Sequence, residues 1–226
     1  MSGQQFQGHQ GAYKNPISKY VHEYEYWKKK KLEKGFDNSV YEHYFTEYFE
    51  LGRKFYEGKR IADLGCGPQG SLEWAEMAAE RYGVDPLAEA YQYLGAHEHE
   101  MSYSPDYIED TSFPDDYFDV VSSFNSLDHV DDLDRAVREI KRIVKPGGLF
   151  LLMTDISSFA RPTEPRPLDW NICRRFEPEF EVADERHLEN GAVGGCYEAA
   201  SKRVSFDHTN PEDRVGALTA RMVRKA

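Results

Sequence analysis

The segment Gly65-Cys66-Gly67-Pro68-Gln69-Gly70 is a G-x-G-x-x-G loop that directly follows the short apolar run Arg60-Ile61-Ala62-Asp63-Leu64. Glycines at this spacing adopt φ values that other residues resist, and they let backbone approach a ligand closely. Such a loop belongs where a strand hands over to a helix. Asp85 stands twenty positions after Gly65, at the end of a second predicted strand over 82–85 and just before Pro86. A carboxylate there accepts hydrogen bonds from the two ribose hydroxyls of a nucleoside. Loop and acid together fit S-adenosylmethionine or a dinucleotide.

The elements that follow alternate. Helices are predicted over 71–81 and 87–94, and a third, weak strand near 101–103. A firmer strand covers 118–124. A helix over 133–145 carries Leu133, Ala136, Val137, Ile140, Ile143 and Val144 on one face, with Asp131 and Asp132 at its start, where the helix dipole favours negative charge. Pro146-Gly147-Gly148 stops it. The unbroken apolar run over 149–153 reads as a strand buried on both faces. Strands separated by helices predict a Rossmann-like, doubly wound, mostly parallel sheet with helices on both faces. Closing antiparallel strands are expected over 180–187 and 215–223, with an extra strand or hairpin over 196–206.

The first 57 residues read as a tail and a helical lid. Residues 1–14 are Gln/Gly-rich and expected to be mobile. Two helices follow with Gly35 between them, Asn38-Ser39 capping the second. Tyr41, Tyr44, Phe45, Tyr48, Phe49 and Phe55 recur at helical spacing. The remaining 58–226 would be one α/β domain with an insertion around 188–212.

Composition narrows the partners. The formal charge of -12 argues against gripping nucleic acid, and Lys28 to Lys31 with Lys34 form one solvated basic face. No apolar run approaches the ~20 residues of a membrane span, and the polar N-terminus lacks a signal-peptide core, so the cytoplasm is the expected location. Cys66, Cys173 and Cys196 have no metal-ligand spacing and read as ordinary thiols. Asp128, Asp131 and Asp132 cluster, but helix capping accounts for them and no metal is expected. The oligomeric state is not set by the sequence.

Five pieces in order carry a resemblance: Asp63-Leu64-Gly65-Cys66-Gly67-Pro68; Gly83-Val84-Asp85-Pro86; Phe113-Pro114-Asp115-Asp116-Tyr117-Phe118-Asp119-Val120-Val121; Leu127-Asp128-His129-Val130; and Glu139 through Gly148. On these the stretch 60–155 resembles class I S-adenosylmethionine-dependent methyltransferases of the small-molecule group. The resemblance implies S-adenosyl-L-methionine as cofactor, S-adenosyl-L-homocysteine as its product, and a small-molecule acceptor methylated on oxygen or nitrogen. It places the methionine part on Gly65, Cys66 and Gly67, the ribose on Asp85 beside Pro86, the adenine near Ile108 and Glu109, and the reacting methyl near Asn125. The chain departs from the family in having Tyr107-Ile108 where an Asp-Ala pair is common. Asp63, if it points into the loop, repels a pyrophosphate and suits a sulfonium; alternatively it only caps the loop. Tyr24 and Trp27 of the lid are expected to touch cofactor. His129 is the expected base and Asp155 the expected substrate contact, both at carboxyl ends of strands, where open α/β sheets bind ligands. Competing readings are a catalytically silent fold that binds the cofactor and a nicotinamide-dependent oxidoreductase.

Overall fold

A computed structural model describes residues 16–161, 164–191, 195–210, 212 and 214–226. The expectation for residues 1–14 lies outside them. Seven strands form one sheet: β1 (Arg60–Leu64), β2 (Glu80–Val84), β3 (Ser102–Ser104), β4 (Phe118–Phe124), β5 (Val144–Ile156), β6 (Phe180–Glu189) and β7 (Gly216–Arg224). Their order is β3-β2-β1-β4-β5-β7-β6. The first five run parallel to one another, and β7 runs antiparallel to both β5 and β6. The chain reverses direction across the sheet at β1, so the carboxyl ends of β1 and β4 flank the switch point where ligands bind in such sheets.

Each face of the sheet is covered. On one face α4 (Leu133–Ile143) buries Ala136, Val137, Ile140 and Ile143 against Val121, Phe150 and Leu152. Asp132 caps α4, its carboxylate accepting the Arg135 N–H. On the other face Phe45, Tyr48, Phe49 and Tyr56 pack on Ile61, Val120 and Leu151. These aromatics come from α2 (Tyr41–Phe45) and the two short 3-10 turns after it. The predicted aromatic stripe is therefore real, but a single helix does not carry it: the α-helix stops at Phe45, where the Thr46 hydroxyl donates to the Glu42 carbonyl at 2.6 Å. Nor do Asn38 and Ser39 cap α2. Asp37 holds the Ser39 N–H and hydroxyl, and Val40 precedes the helix with no side-chain bond. Ahead of them α1 (Pro16–Lys34) ends where the Gly35 N–H, at φ +72°, donates to the Lys31 carbonyl.

Two predicted elements fold differently. Residues 71–79 form successive turns, not a helix, with i to i+3 bonds from Glu73 to Gly70, Ala75 to Leu72 and Ala78 to Ala75. The Arg81 guanidinium takes the Leu72 and Glu73 carbonyls that a helix would have used. β2 also starts early, at Glu80, and Trp74 is drawn between Phe45 and Tyr56. Over 196–206 the chain forms a helix, α5 (Gly195–Lys202), which buries Cys196, Ala199 and Ala200. Those positions are three and four apart, a helical spacing that the alternating residues around it mask. Only Ser205, beyond the helix, makes a strand-like bridge, to Leu188. The helix predicted over 87–94 is α3 (Ala88–Tyr91) continued by a 3-10 turn to Leu94, and Gly95 at φ +91° ends it. The predicted 149–153 strand is the centre of the longer β5.

Candidate functional site

Above the carboxyl ends of β1, β2 and β4 lies one cavity of about 680 Å³, roofed by α1 and α2 and closed at one side by α5. The glycine loop forms its wall. Gly65 and Gly67 hold φ of +74° and +60°. A Cβ on Gly65 would lie 2.2 Å from the Ser126 Cβ, and one on Gly67 would meet the Trp27 ring at 2.8 Å. Neither position has room for a side chain, so the loop is pressed between β4 and the lid.

Asp85 is buried beside this loop. Its carboxylate accepts the Gly67 N–H at 3.2 Å and the Leu87 N–H at 2.9 Å, one on each oxygen. Each oxygen keeps acceptor capacity. Burial pushes the Asp85 carboxyl up to about 7, against the pull of those two N–H groups. Pro86 and the buried Ile108 border the same space, as does Glu109. Glu109 also accepts the Asp131 N–H at 2.6 Å, which ties its loop to the segment just before α4. At the far end Asn125, at φ +56°, donates its N–H to the Met153 carbonyl and lies with its side-chain oxygen 3.5 Å from the Cys196 sulfur.

The helix α1 is fastened near both ends. The Lys19 ammonium donates to the His129 carbonyl and to Asp131, both at 2.8 Å. Lys31 donates to the Leu94 carbonyl at 2.8 Å. Between them Trp27, held by Glu23 at 2.7 Å, covers the glycine loop. Gln69 donates to the Tyr41 hydroxyl at 2.5 Å, joining loop to α2.

His129 borders the cavity, with Glu164 near it. Its Nε2 and the Asp128 Oδ1 are 3.9 Å apart, both buried and without a hydrogen-bond partner. Burial raises the Asp128 carboxyl above its ordinary value.

Three expected site residues do not border the cavity. Asp63 faces two serines: its oxygens accept the Ser122 and Ser71 hydroxyls, each at 2.6 Å, so it braces the loop from behind and does not point into it. Burial lifts its carboxyl to about 6. Asp155 is held by the Asn190 amide at 2.8 Å and sits behind Gly195 and Cys196, which take its place in the wall. Tyr24 packs instead against the cluster of Tyr91, Leu94 and Ala96. The other predicted cofactor residues, Gly65, Cys66, Gly67, Asp85, Pro86, Ile108, Glu109, Asn125 and Trp27, share the one cavity. Sequence reasoning did not find Lys19, Gln69, Glu164 or Tyr197. Lys19, Glu164 and Tyr197 reach the site through tertiary contacts with no local motif, and Gln69 stands at a variable position of the glycine loop.

Known proteins agree with this geometry. Residues 62–152 match a family described as a methyltransferase domain. The chain is 36% identical over 104 residues to the ubiquinone biosynthesis O-methyltransferase of Alkalilimnicola ehrlichii, covering 43% of this chain and 42% of that protein. It is 28% identical over 151 residues to the sterol 24-C-methyltransferase of Aspergillus fumigatus, covering 56% and 36%. The chain thus spans roughly two fifths of the length of these curated relatives. The N-methyltransferase NodS from Bradyrhizobium japonicum has the same fold, with a TM-score of 0.60 at 12% identity over 84% of this chain and 100% of that one. The match over 62–152 identifies that stretch as a methyltransferase domain, in agreement with the glycine loop and the order of the sheet.

Proposed function

We propose that the chain transfers a methyl group from S-adenosylmethionine to an oxygen or nitrogen atom of a small-molecule acceptor. One observation carries this reading: the buried Asp85, the close-packed glycine loop and His129, whose Nε2 has no hydrogen-bond partner, border a single cavity. On this reading the chain divides into a lid through residue 57 and a catalytic domain over 58–226, with 188–212 as an insertion that closes the acceptor end through α5. The names of the two curated relatives specify a quinone precursor pathway and a sterol, both small molecules, which supports the acceptor class. No helix among the described residues is long and apolar enough to cross a membrane.

The cofactor supplies an electrophilic methyl on a sulfonium, so the reaction is an in-line displacement. The residues fit this group. Asp85 offers two oxygens to a ribose diol, and Ile108 offers an apolar edge to adenine. Four acids, Glu23, Asp85, Glu109 and Glu164, outnumber the two lysines, Lys19 and Lys30, around the cavity, which suits a cationic cofactor. Trp27 and Tyr41 exclude water from above. Asn125 and Tyr197 border the acceptor end, beside His129, whose Nε2 takes the proton when the acceptor arrives protonated.

Calorimetric titration with S-adenosylhomocysteine is expected to show one site of micromolar affinity. Labelled methyl transfer to a panel of phenols, alcohols and amines then finds the acceptor. With that acceptor, His129→Ala is expected to lower kcat by about 10²-fold. A folded wild type that binds no S-adenosylhomocysteine overturns the reading; undiminished turnover in the variant removes only the base.

A further inference from the structure

We propose that Asp128, His129 and Glu164 form a binding site for one divalent transition-metal ion at the floor of the acceptor cavity. The inference rests on the cavity assignment above, although metal binding itself is independent of methyl transfer. Three ligand atoms, one from each residue, lie within 4.8 Å of one another. Asp128 is 3% exposed, yet its Oδ1 has no hydrogen-bond partner, and neither has the His129 Nε2. The 3.9 Å between these two atoms is too wide for a hydrogen bond. It matches two ligands of a common ion, each bonded at about 2.0–2.2 Å. A buried carboxylate oxygen left unpaired is costly, and a cation between the two atoms removes that cost.

The neighbouring acids have other duties. Asp132 caps α4 and Asp131 pairs with Lys19. Helix capping accounts for Asp132 and the Lys19 pair for Asp131, but neither accounts for Asp128, so the proposal departs from the expectation of no metal. Glu164 pairs through one oxygen with Arg161 at 2.8 Å, and a carboxylate keeps acceptor capacity beyond that bond. The occupant is an ion and not the ammonium of an organic acceptor, because His129 and Glu164 border the cavity while Asp128 lies behind them. Only a small cation reaches all three. One imidazole with two carboxylates suits Zn²⁺ or Mn²⁺ better than Ca²⁺ or Mg²⁺, which prefer all-oxygen shells. Three protein ligands leave coordination positions open toward the acceptor, as in catalytic sites. An ion there occupies the Nε2 lone pair of His129 and takes over its task, lowering the proton affinity of an acceptor hydroxyl.

The test is calorimetric titration of the chelator-treated full chain with Zn²⁺ and with Mn²⁺, repeated for Asp128→Asn and Glu164→Gln. Thermal melts confirm folding, and S-adenosylhomocysteine is titrated in the same series. The expected result is one equivalent bound by the wild type and at least about 10-fold weaker binding in each variant. Glu164 is at the cavity wall, so its variant serves if the buried Asp128 substitution fails to fold. No stoichiometric binding by the wild type, or equal binding by wild type and variants, overturns the site. A wild type that binds S-adenosylhomocysteine but no metal sinks only this inference. Intact metal binding without S-adenosylhomocysteine binding sinks the cofactor reading instead.

Discussion

Asp85→Ala is expected to weaken S-adenosylhomocysteine binding by at least about 100-fold while the chain stays folded. The magnitude follows from the proposed contact. Two hydrogen bonds from ribose hydroxyls to a charged acceptor contribute roughly 1.5–3 kcal/mol each, and both vanish in the variant. The loop suffers as well, because the Gly67 and Leu87 N–H groups lose their shared acceptor. Folding should survive, since no element of the sheet depends on this carboxylate and its removal relieves a buried charge. Asp85→Asn separates the two effects. It keeps one acceptor oxygen and replaces the other with a donor, so it should fall between wild type and Ala. Calorimetry on the three proteins checks the order; affinity of the Ala variant within threefold of wild type would remove Asp85 from the cofactor site.

How much of this was legible in the sequence depends on the range of the forces involved. β1, the glycine loop and Asp85 are neighbours in the chain, so their pattern is local and could be read directly. The same holds for β4, for α4 with its apolar face and Asp132 cap, and for the closing strands β6 and β7. The stretch over 71–79 could not be read that way. Its helical pattern is overridden by Arg81, which takes two of its carbonyls, and by Trp74, drawn into the aromatic layer from the lid. Residues 196–206 mislead for the opposite reason: polar and apolar residues alternate, but Cys196, Ala199 and Ala200 share one buried helix face. Within the site, Asp63 was placed correctly beside the loop, and of the two directions left open for it the one into the loop fails. Its two serine partners lie 8 and 59 positions away, and only the sheet brings Ser122 beside it. Glu164 is a stronger case. It reaches Asp128 and His129 from a loop beyond β5, which no spacing rule anticipates.

The same buried carboxylates make cofactor binding and cofactor-free stability respond to pH in opposite directions. Burial pushes Asp85 up to about 7 and Asp63 and Asp155 up to about 6, from an ordinary value of 3.8. The folded chain therefore holds these protons over a range where the unfolded chain has released them. Stability without cofactor is fully supported by these groups below about 4 and declines as pH rises through 6 to 7. For Asp85 alone the change has an upper bound of about 4 kcal/mol. Carboxylates held below their ordinary range, such as Glu139 beside Arg142 and Asp119 beside Lys145, act in the opposite sense but only in more acidic solution. His99, lowered by burial, also opposes the trend, as one group against four, since burial raises Asp128 as well. Cofactor binding follows the other sign. Only the ionised Asp85 accepts both ribose hydroxyls, so affinity for S-adenosylhomocysteine should fall by roughly tenfold per pH unit below 7. Thermal melts at pH 5 and pH 8, with and without S-adenosylhomocysteine, read both effects at once. The free protein should melt higher at pH 5, and the ligand-induced rise in Tm should be large at pH 8 and nearly absent at pH 5. A ligand-induced rise that is equal at both, or larger at pH 5, would show that the ionised Asp85 is not what holds the ribose.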